Sequence, residues 1–278
     1  MSSAKAGTLF LVSTPIGNLG DMTHRAVEVL SSTALVLAED TRHSRRLMDH
    51  YAIETPLSSY HEHNEAKETP RLVARLLAGD SIALVSDAGT PLISDPGSRL
   101  VNAAIEANIP VVPIPGPSSV LAALVGSGMS LEKFMFFGFL PRKGKERAEV
   151  LGEIVASHST SVLFEAGNRV GATLTALDES GAGERQVVVA RELTKQFEEF
   201  RRGSVSELAA VYKKVDPKGE VVLVVAGAEK SSISQEDLDV AATRLRAEGK
   251  NPRDVVEHLI GLGASRNVAY KIAHRKAS

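Results

Sequence analysis

Cysteine is absent from all 278 residues. That excludes a disulfide framework, a thiolate zinc site and a cysteine nucleophile, and it gives no hint of an oxidising compartment. Long apolar runs are missing as well. Leu9-Phe10-Leu11-Val12 near the start is too short for a signal-peptide core and far too short to span a bilayer. The expectation is a cytoplasmic protein without a membrane partner. Two phosphate-binding signatures are also lacking: no G-x-G-x-x-G follows the first apolar run, and no G-x-x-x-x-G-K-[ST] occurs anywhere. Gly126-Ser127-Gly128 and Gly181-Ala182-Gly183 are isolated pairs. Dinucleotide and nucleoside-triphosphate readings lose their main support.

What is present has the balance of a globular chain, with 43% hydrophobic and 24% charged residues. The net charge of −2 is unevenly spread. Met1 to Glu229 carries 23 Lys+Arg against 28 Asp+Glu, whereas Lys230 to Ser278 carries 9 against 6. A basic tail on an acidic body points weakly to nucleic acid, and equally to a solvated helix face.

Short apolar runs alternate with longer amphipathic stretches, the pattern of strands alternating with helices. Strands are expected at Thr8 to Ser13, Ala34 to Ala38, Ser81 to Ser86 and Pro110 to Ile114. Beyond Pro117 they are expected at Phe134 to Leu140, Ser161 to Glu165, Gln186 to Arg191 and Glu220 to Ala226. Near-continuous runs such as Ile82-Ala83-Leu84-Val85 suit parallel strands covered on both faces. This predicts two α/β lobes, residues 7–117 and 118–229, with a ligand cleft between them. Gly227 to Ser234 reads as a linker. Residues 234–278 then change to a helical period: Leu238, Ala241, Ala242 and Leu245 share one face, Asn251-Pro252 caps and opens a second helix, and Ser265 caps a third. Three short helices with glycine turns resemble a helix-turn-helix module.

Three Gly/Pro-rich turns follow strands directly: Ser13 to Asn18, Ser86 to Pro91, and Pro113 to Ser119. In a parallel sheet they gather at the carboxyl ends of neighbouring strands, where open α/β sheets bind ligands. Glycine permits close backbone approach and proline stiffens the turn.

These residues carry a resemblance. S-D-A-G-T-P-L-I-S-D-P-G at Ser86 to Gly97, S-T-P-I-G-N-L-G-D at Ser13 to Asp21 and P-G-P-S-S at Pro115 to Ser119 resemble the tetrapyrrole methylase superfamily. The tetrapyrrole branch has a tyrosine where this chain has Ser94. The version here is similar to the branch that methylates the ribose 2′-hydroxyl of a decoding-centre cytidine in 16S rRNA. Ala38 to Arg42, Tyr60 to Asn64, Phe137 to Pro141, and Ala190 to Lys195 with Glu198-Glu199 agree with it. After Phe164-Glu165 the branch continues with Pro and His or Arg; here Ala166-Gly167-Asn168-Arg169 takes that place, so Glu165 and Arg169 alone carry over.

The resemblance implies S-adenosylmethionine as cofactor, a homodimer, and 16S rRNA or the small ribosomal subunit as partner. Cofactor contacts are expected at Pro15 and Gly17, at Asp87, Ala88 and Gly89, and at Ser118 and Ser119. An alcohol nucleophile must lose its proton during attack, and Glu39, Asp40, Glu165, Glu192 and Lys195 are candidates to assist. Ala38-Glu39-Asp40-Thr41-Arg42 reads equally as a capped helix start. Arg42, with Arg45 and Arg46, and the loop Arg142, Lys143, Lys145 and Arg147 are candidate RNA contacts, or solvated charges. Half of the eight Phe fall in Phe134 to Phe139, which reads better as a doubly buried strand than as a base-stacking platform. His61-Glu62-His63 is not expected to hold a metal, since alternate residues of an extended chain point opposite ways. A small-molecule methylase and an inactive RNA-binding assembly factor are the alternatives.

Overall fold

A computed structural model of the chain describes residues 6–229 and 235–275. It comprises two compact units, Met1–Ala226 and Gly227–Ser278. Part of the expected linker, residues 230–234, lies outside the described residues, as does Lys276.

The larger unit begins with β1 (Leu9–Val12), α1 (His24–Ser32), β2 (Leu35–Ala38), α2 (Thr41–His50), β3 (Leu57–Ser59), α3 (Glu65–Leu77), β4 (Ile82–Val85), α4 (Ser98–Glu106) and β5 (Val111–Ile114). Their sheet has the order β3-β2-β4-β1-β5, with every pairing parallel. β2 and β4 are buried at each position. Successive side chains point to opposite faces: Leu37 and Leu84 join Leu72, Leu76 and Leu100 on one side, whereas Val36, Ala83 and Val85 join Ala26, Leu30 and Met48 on the other. Helices on both faces explain why these strands read as unbroken apolar runs.

Helix α5 (Ser119–Ser127) leads into a second sheet of β6 (Phe134–Phe139), β7 (Thr160–Ala166), β8 (Gln186–Arg191), β9 (Glu199–Ser204) and β10 (Glu220–Val225), in the order β6-β7-β10-β8-β9. One face packs on α5 through Val120, Ala123 and Leu124. The other carries α6 (Lys145–Ala156), α7 (Val170–Leu177) and α8 (Val205–Tyr212). β6 and β7 are parallel, but β7-β10, β10-β8 and β8-β9 are antiparallel. Continuous apolar runs report burial on both faces and are silent on strand direction.

Two elements carry no apolar run and escaped the sequence reading, the three-residue β3 and the strand β9, Glu-Phe-Arg-Arg-Gly-Ser. The expectation for Phe134 to Phe139 is corrected. β6 is an edge strand, with Phe134 43%, Met135 44% and Phe139 48% exposed.

The smaller unit holds α9 (Gln235–Ala247), α10 (Pro252–Gly261) and α11 (Arg266–Ala273). Asn251 caps α10 by accepting from the Asp254 N–H, and Ser265 caps α11 by accepting from the Val268 N–H. Leu238, Ala242, Val255, Leu259, Ala269 and Ile272 form its core. No helix among the described residues is long and apolar enough to cross a membrane.

Candidate active site

The three Gly/Pro turns meet where the sheet order brings β4, β1 and β5 side by side. Thr14 and Gly89 exchange both backbone hydrogen bonds, 2.9 and 3.0 Å, and the Thr14 hydroxyl donates to the Ser86 carbonyl at 3.2 Å. The Thr90 hydroxyl donates to the Pro117 carbonyl at 3.2 Å and accepts from Ser13 Oγ at 3.4 Å. The strand ends are thereby tied into one floor. Gly89 sits at φ +82°, where a side chain is strained. Both its backbone polar groups go to Thr14, so the glycine secures the junction of two turns and leaves no backbone donor for a ligand.

A cavity of about 350 Å³ opens over this floor, a size typical of small-molecule sites. Segments around the first sheet contribute Ile16, Glu39, the Asp87 to Thr90 turn, Ile93, Ser94 and Asp95, and Ser118 and Ser119 enter from the start of α5. The second sheet and its loops contribute Phe139, Phe164, Ala190, Glu192, Leu193, Lys195 and Glu220 to Val222. Ile16, Val120, Phe164, Ala190 and Val222 give apolar walls. The Ser118 hydroxyl accepts from Leu121 N at 3.4 Å and starts α5 at the cavity edge.

The polar lining is strongly one-signed. Glu39, Asp87, Asp95, Glu192 and Glu220 face Lys195, the one cation among the described lining residues, which is paired with Glu192 at 2.9 Å. Burial pushes the Asp95 carboxyl up to about 6; Glu39, Asp87 and Glu220 add to this, and a hydrogen bond from Ser86 opposes it. Burial, then Asp87, also raises Glu39. The chain into Asp95 passes through Leu92 at φ 73° and Ser94 at φ 67°. Such left-handed non-glycine backbone costs free energy and collects at functional sites.

Several expected site residues lie elsewhere. Pro15 and Gly17 are outside the lining, and Ile16 between them is in it. Gly17 is needed because a Cβ there would stand 2.5 Å from Lys195 Cγ and 2.9 Å from the Leu193 carbonyl oxygen. It seats the loop of Leu193 to Lys195 against the turn after β1.

Asp40 is not in the lining. It caps α2, accepting from Arg42 N at 2.9 Å, and pairs with the Arg42 guanidinium at 2.7 Å. Those bonds hold its carboxyl well below the usual range, which makes it a poor proton acceptor. Its own N–H donates to Asp87 Oδ1 at 3.0 Å and so docks α2 to the floor. The helix-start reading of this segment is therefore the one seen. Glu165 is fully buried away from the cavity, accepting from Thr173 at 2.6 Å and from Ala166 N at 3.0 Å, with Arg169 at 3.1 Å. The two residues that carry over at the divergent motif are thus an ion pair.

The candidate RNA contacts also divide. Arg147 is turned inward, donating to the Pro141 carbonyl and to Thr173, and Lys145 pairs with Glu149 at 3.3 Å. Arg142 and Lys143 are exposed and make no ion pair among the described residues. Arg42, Arg45 and Arg46 lie on the exposed face of α2. His61 and His63 approach edge to face at 6.0 Å, in a turn that replaces the extended chain expected there.

Sequence reasoning missed Asp95, Glu220, Phe164 and Ile16 as lining residues. Asp95 lay inside the quoted Ser86 to Gly97 motif, so position marked it even though burial was invisible.

The model of the Tetrapyrrole (Corrin/Porphyrin) Methylases matches residues 8–209. A protein of Synechocystis sp. called ribosomal RNA small subunit methyltransferase I is 50% identical over 246 residues, covering 87% of this chain and 88% of that one. Its namesake in Mesorhizobium japonicum is 46% identical over 264 residues, covering 95% and 90%. Among solved structures, a Thermus thermophilus uroporphyrin-III C-methyl transferase complexed with S-adenyl homocysteine superposes with a TM-score of 0.58 at 17% identity, covering 79% of this chain and 97% of that one. With the model matched over most of the chain and near full-length relatives close to half identical, this protein belongs to the tetrapyrrole methylase family.

Proposed function

We infer that the acceptor of this S-adenosylmethionine-dependent methyltransferase is small-subunit ribosomal RNA, at the ribose 2′-hydroxyl of a decoding-centre cytidine in 16S rRNA. The observation that carries the acceptor class is the near full-length match to proteins named for the small-subunit RNA. The cytidine and its 2′-oxygen rest on the sequence resemblance. That work would place the protein in the cytoplasm.

The cavity fits the cofactor by charge. Glu39, Asp87, Asp95 and Glu220 make no ion pair with Lys or Arg among the described residues, although His61 acts on Glu39, and partly buried carboxylates in such surroundings favour a cationic guest. A phosphate-rich cofactor would be repelled. When bound, S-adenosylmethionine supplies a methyl group on a positively charged sulfur that is itself a good leaving group. The carboxylates would hold its charged end, and Ile16, Val120, Phe164 and Val222 would enclose its apolar part. The rigid floor of Thr14, Gly89 and Thr90 fixes these groups in place, and alignment of this kind is worth roughly 7–11 kcal/mol of barrier. Burial raises the Asp95 carboxyl to about 6, so it is suited to take up the proton that the ribose hydroxyl loses.

We also infer a homodimer, since Leu121 and Val125 on α5 and Phe134 and Met135 on β6 leave apolar surface exposed. Sedimentation at twice the chain mass is the expected result.

The function is tested with methyl-labelled S-adenosylmethionine offered together with small ribosomal subunits, naked 16S rRNA, or a tetrapyrrole. Label in RNA is the expected outcome. Label in the tetrapyrrole alone would favour a small-molecule methylase, and no transfer in any arm would favour an inactive RNA-binding protein.

A further inference from the structure

From Lys230 onward the chain carries 9 Lys+Arg against 6 Asp+Glu, but these cations are not equivalent. Arg244 pairs with Glu248 at 3.1 Å, Arg253 with Glu257 at 3.8 Å, and Arg275 with Asp239 at 3.3 Å. The Arg246 guanidinium is engaged by the Ile272 carbonyl at the end of α11. Arg246 and Arg275 tie α9 to the end of α11, whereas the Arg244 and Arg253 pairs are local, four residues apart on α9 and its end and on α10. Lys250, Arg266 and Lys271 are exposed and make no ion pair among the described residues, and two of them lie on α11.

On α11 the side chains sort by helical period. Ala269, Ile272 and Ala273 are buried in the unit's core. Arg266, Asn267, Tyr270, Lys271 and His274 are exposed and fall at spacings of one, four, five and eight residues, which places them on the opposite face. Tyr270 is 59% exposed, and its ring centroid is 4.1 Å from that of His274. The face therefore holds two uncompensated cations, a side-chain amide and a solvent-facing pair of rings, with no acid.

We propose that this face of α11 is an RNA-contacting surface, in which Arg266 and Lys271 engage phosphates and the Tyr270–His274 pair receives an unpaired base. The inference rests on the rRNA reading and adds to it the element and residues that grip the substrate. Two cations without a carboxylate partner match the regular phosphates of a polyanion. Exposed rings offer the stacking platform by which proteins hold unstacked bases. A membrane surface would call for a broad apolar stripe, and a second copy of the chain for an apolar patch; on this face Tyr270 is the large apolar side chain. A-form RNA hides its major groove, so a helix cannot read it as helix-turn-helix proteins read DNA. The target is a loop or single strand.

The experiment uses the full chain and two labelled RNAs, a hairpin with an unpaired loop and a fully paired duplex of equal length. Arg266→Gln with Lys271→Gln should lower the slope of log affinity against log salt by about 1.4 on the hairpin, at about 0.7 per phosphate contact. Tyr270→Ala should weaken hairpin binding roughly tenfold and leave duplex binding nearly unchanged. Arg253→Gln, which removes an exposed but paired cation, should leave both affinities within about twofold. Circular dichroism and S-adenosylmethionine affinity equal to wild type show that each variant is folded. An unchanged salt slope in the double variant, or equal losses on hairpin and duplex for Tyr270→Ala, overturns the surface. So does a variant that changes solution mass, or binding to anionic phosphatidylserine vesicles, without changing RNA affinity. Those results leave the rRNA reading intact if wild type still labels small subunits; absence of label in wild type removes that reading instead.

Discussion

The cavity and the exposed face of α11 are opposites made from one chain of net charge −2. In the cavity five carboxylates meet one lysine, and the charges are partly desolvated. On α11 two cations stand in water without an acid. The first environment suits a small cation and raises the Asp95 carboxyl to about 6; the second suits a long polyanion and is sensitive to salt. Overall charge reports neither, because it sums acids and bases from separate regions of the chain into one small number. What separates the sites is which charges were left without partners.

The largest expected effect comes from a carboxylate that does have partners. Glu165→Ala removes the acceptor of Thr173 and the partner of Arg169. Breaking a buried pair from one side costs about 3–5 kcal/mol. A large drop in melting temperature is expected, with residual cofactor affinity in the folded fraction. A stable Glu165→Ala variant without activity would return Glu165 to the catalytic candidates.

Next comes Asp95→Asn. Loss of the proton acceptor should slow methyl transfer by roughly 100-fold or more and remove the acid limb that the wild-type rate shows as pH falls through about 6. An unchanged pH profile would shift the role to Glu39. Removing the chain after Gly227 should leave cofactor affinity intact, weaken RNA binding by more than the roughly tenfold expected of Tyr270→Ala alone, and flatten its salt dependence. Equal RNA affinity in the shortened protein would merge the two sites that the comparison separates.

The smallest effect has an opposite sign for stability. The folded pKa of Asp95 is raised from 3.8 to about 6, so the folded state favours its neutral form. The stability this confers is complete below the unfolded value and is lost as pH rises through about 6. At pH 8 without cofactor, Asp95→Asn should therefore be the more stable protein, by about 1 kcal/mol after allowance for solvent screening. Saturating S-adenosylmethionine should stabilise wild type more than the variant. Chemical denaturation with and without cofactor reads both terms.

Much of this was legible in the sequence. Glycine and proline mark strand-end turns by backbone requirement alone, and Thr14, Gly89 and Pro117 meet where that rule places them. Helix caps at Asn251 and Ser265 are local and equally visible. Burial and pairing are not local. Pro15 and Gly17 sit in a motif that folds around the cavity, but Ile16 faces into it. Glu165 near the end of β7 and Asp95 in the loop before α4 are both acids inside quoted motifs, and only three-dimensional neighbours tell that one is locked to Arg169 and the other faces the cavity among other carboxylates. Arg147 looked free until the Pro141 carbonyl and Thr173 claimed it. The aromatic run Phe134 to Phe139 signals a strand, but its place at a sheet edge depends on pairing order, which no local pattern encodes.

The most direct measurement transfers labelled methyl from S-adenosylmethionine to small ribosomal subunits, recovers the 16S rRNA and subjects it to alkaline hydrolysis. A methylated 2′-oxygen cannot attack the neighbouring phosphate, so the account predicts one labelled cytidine whose 3′ linkage survives. Label in a nucleotide whose linkage is cleaved as readily as its neighbours would contradict it.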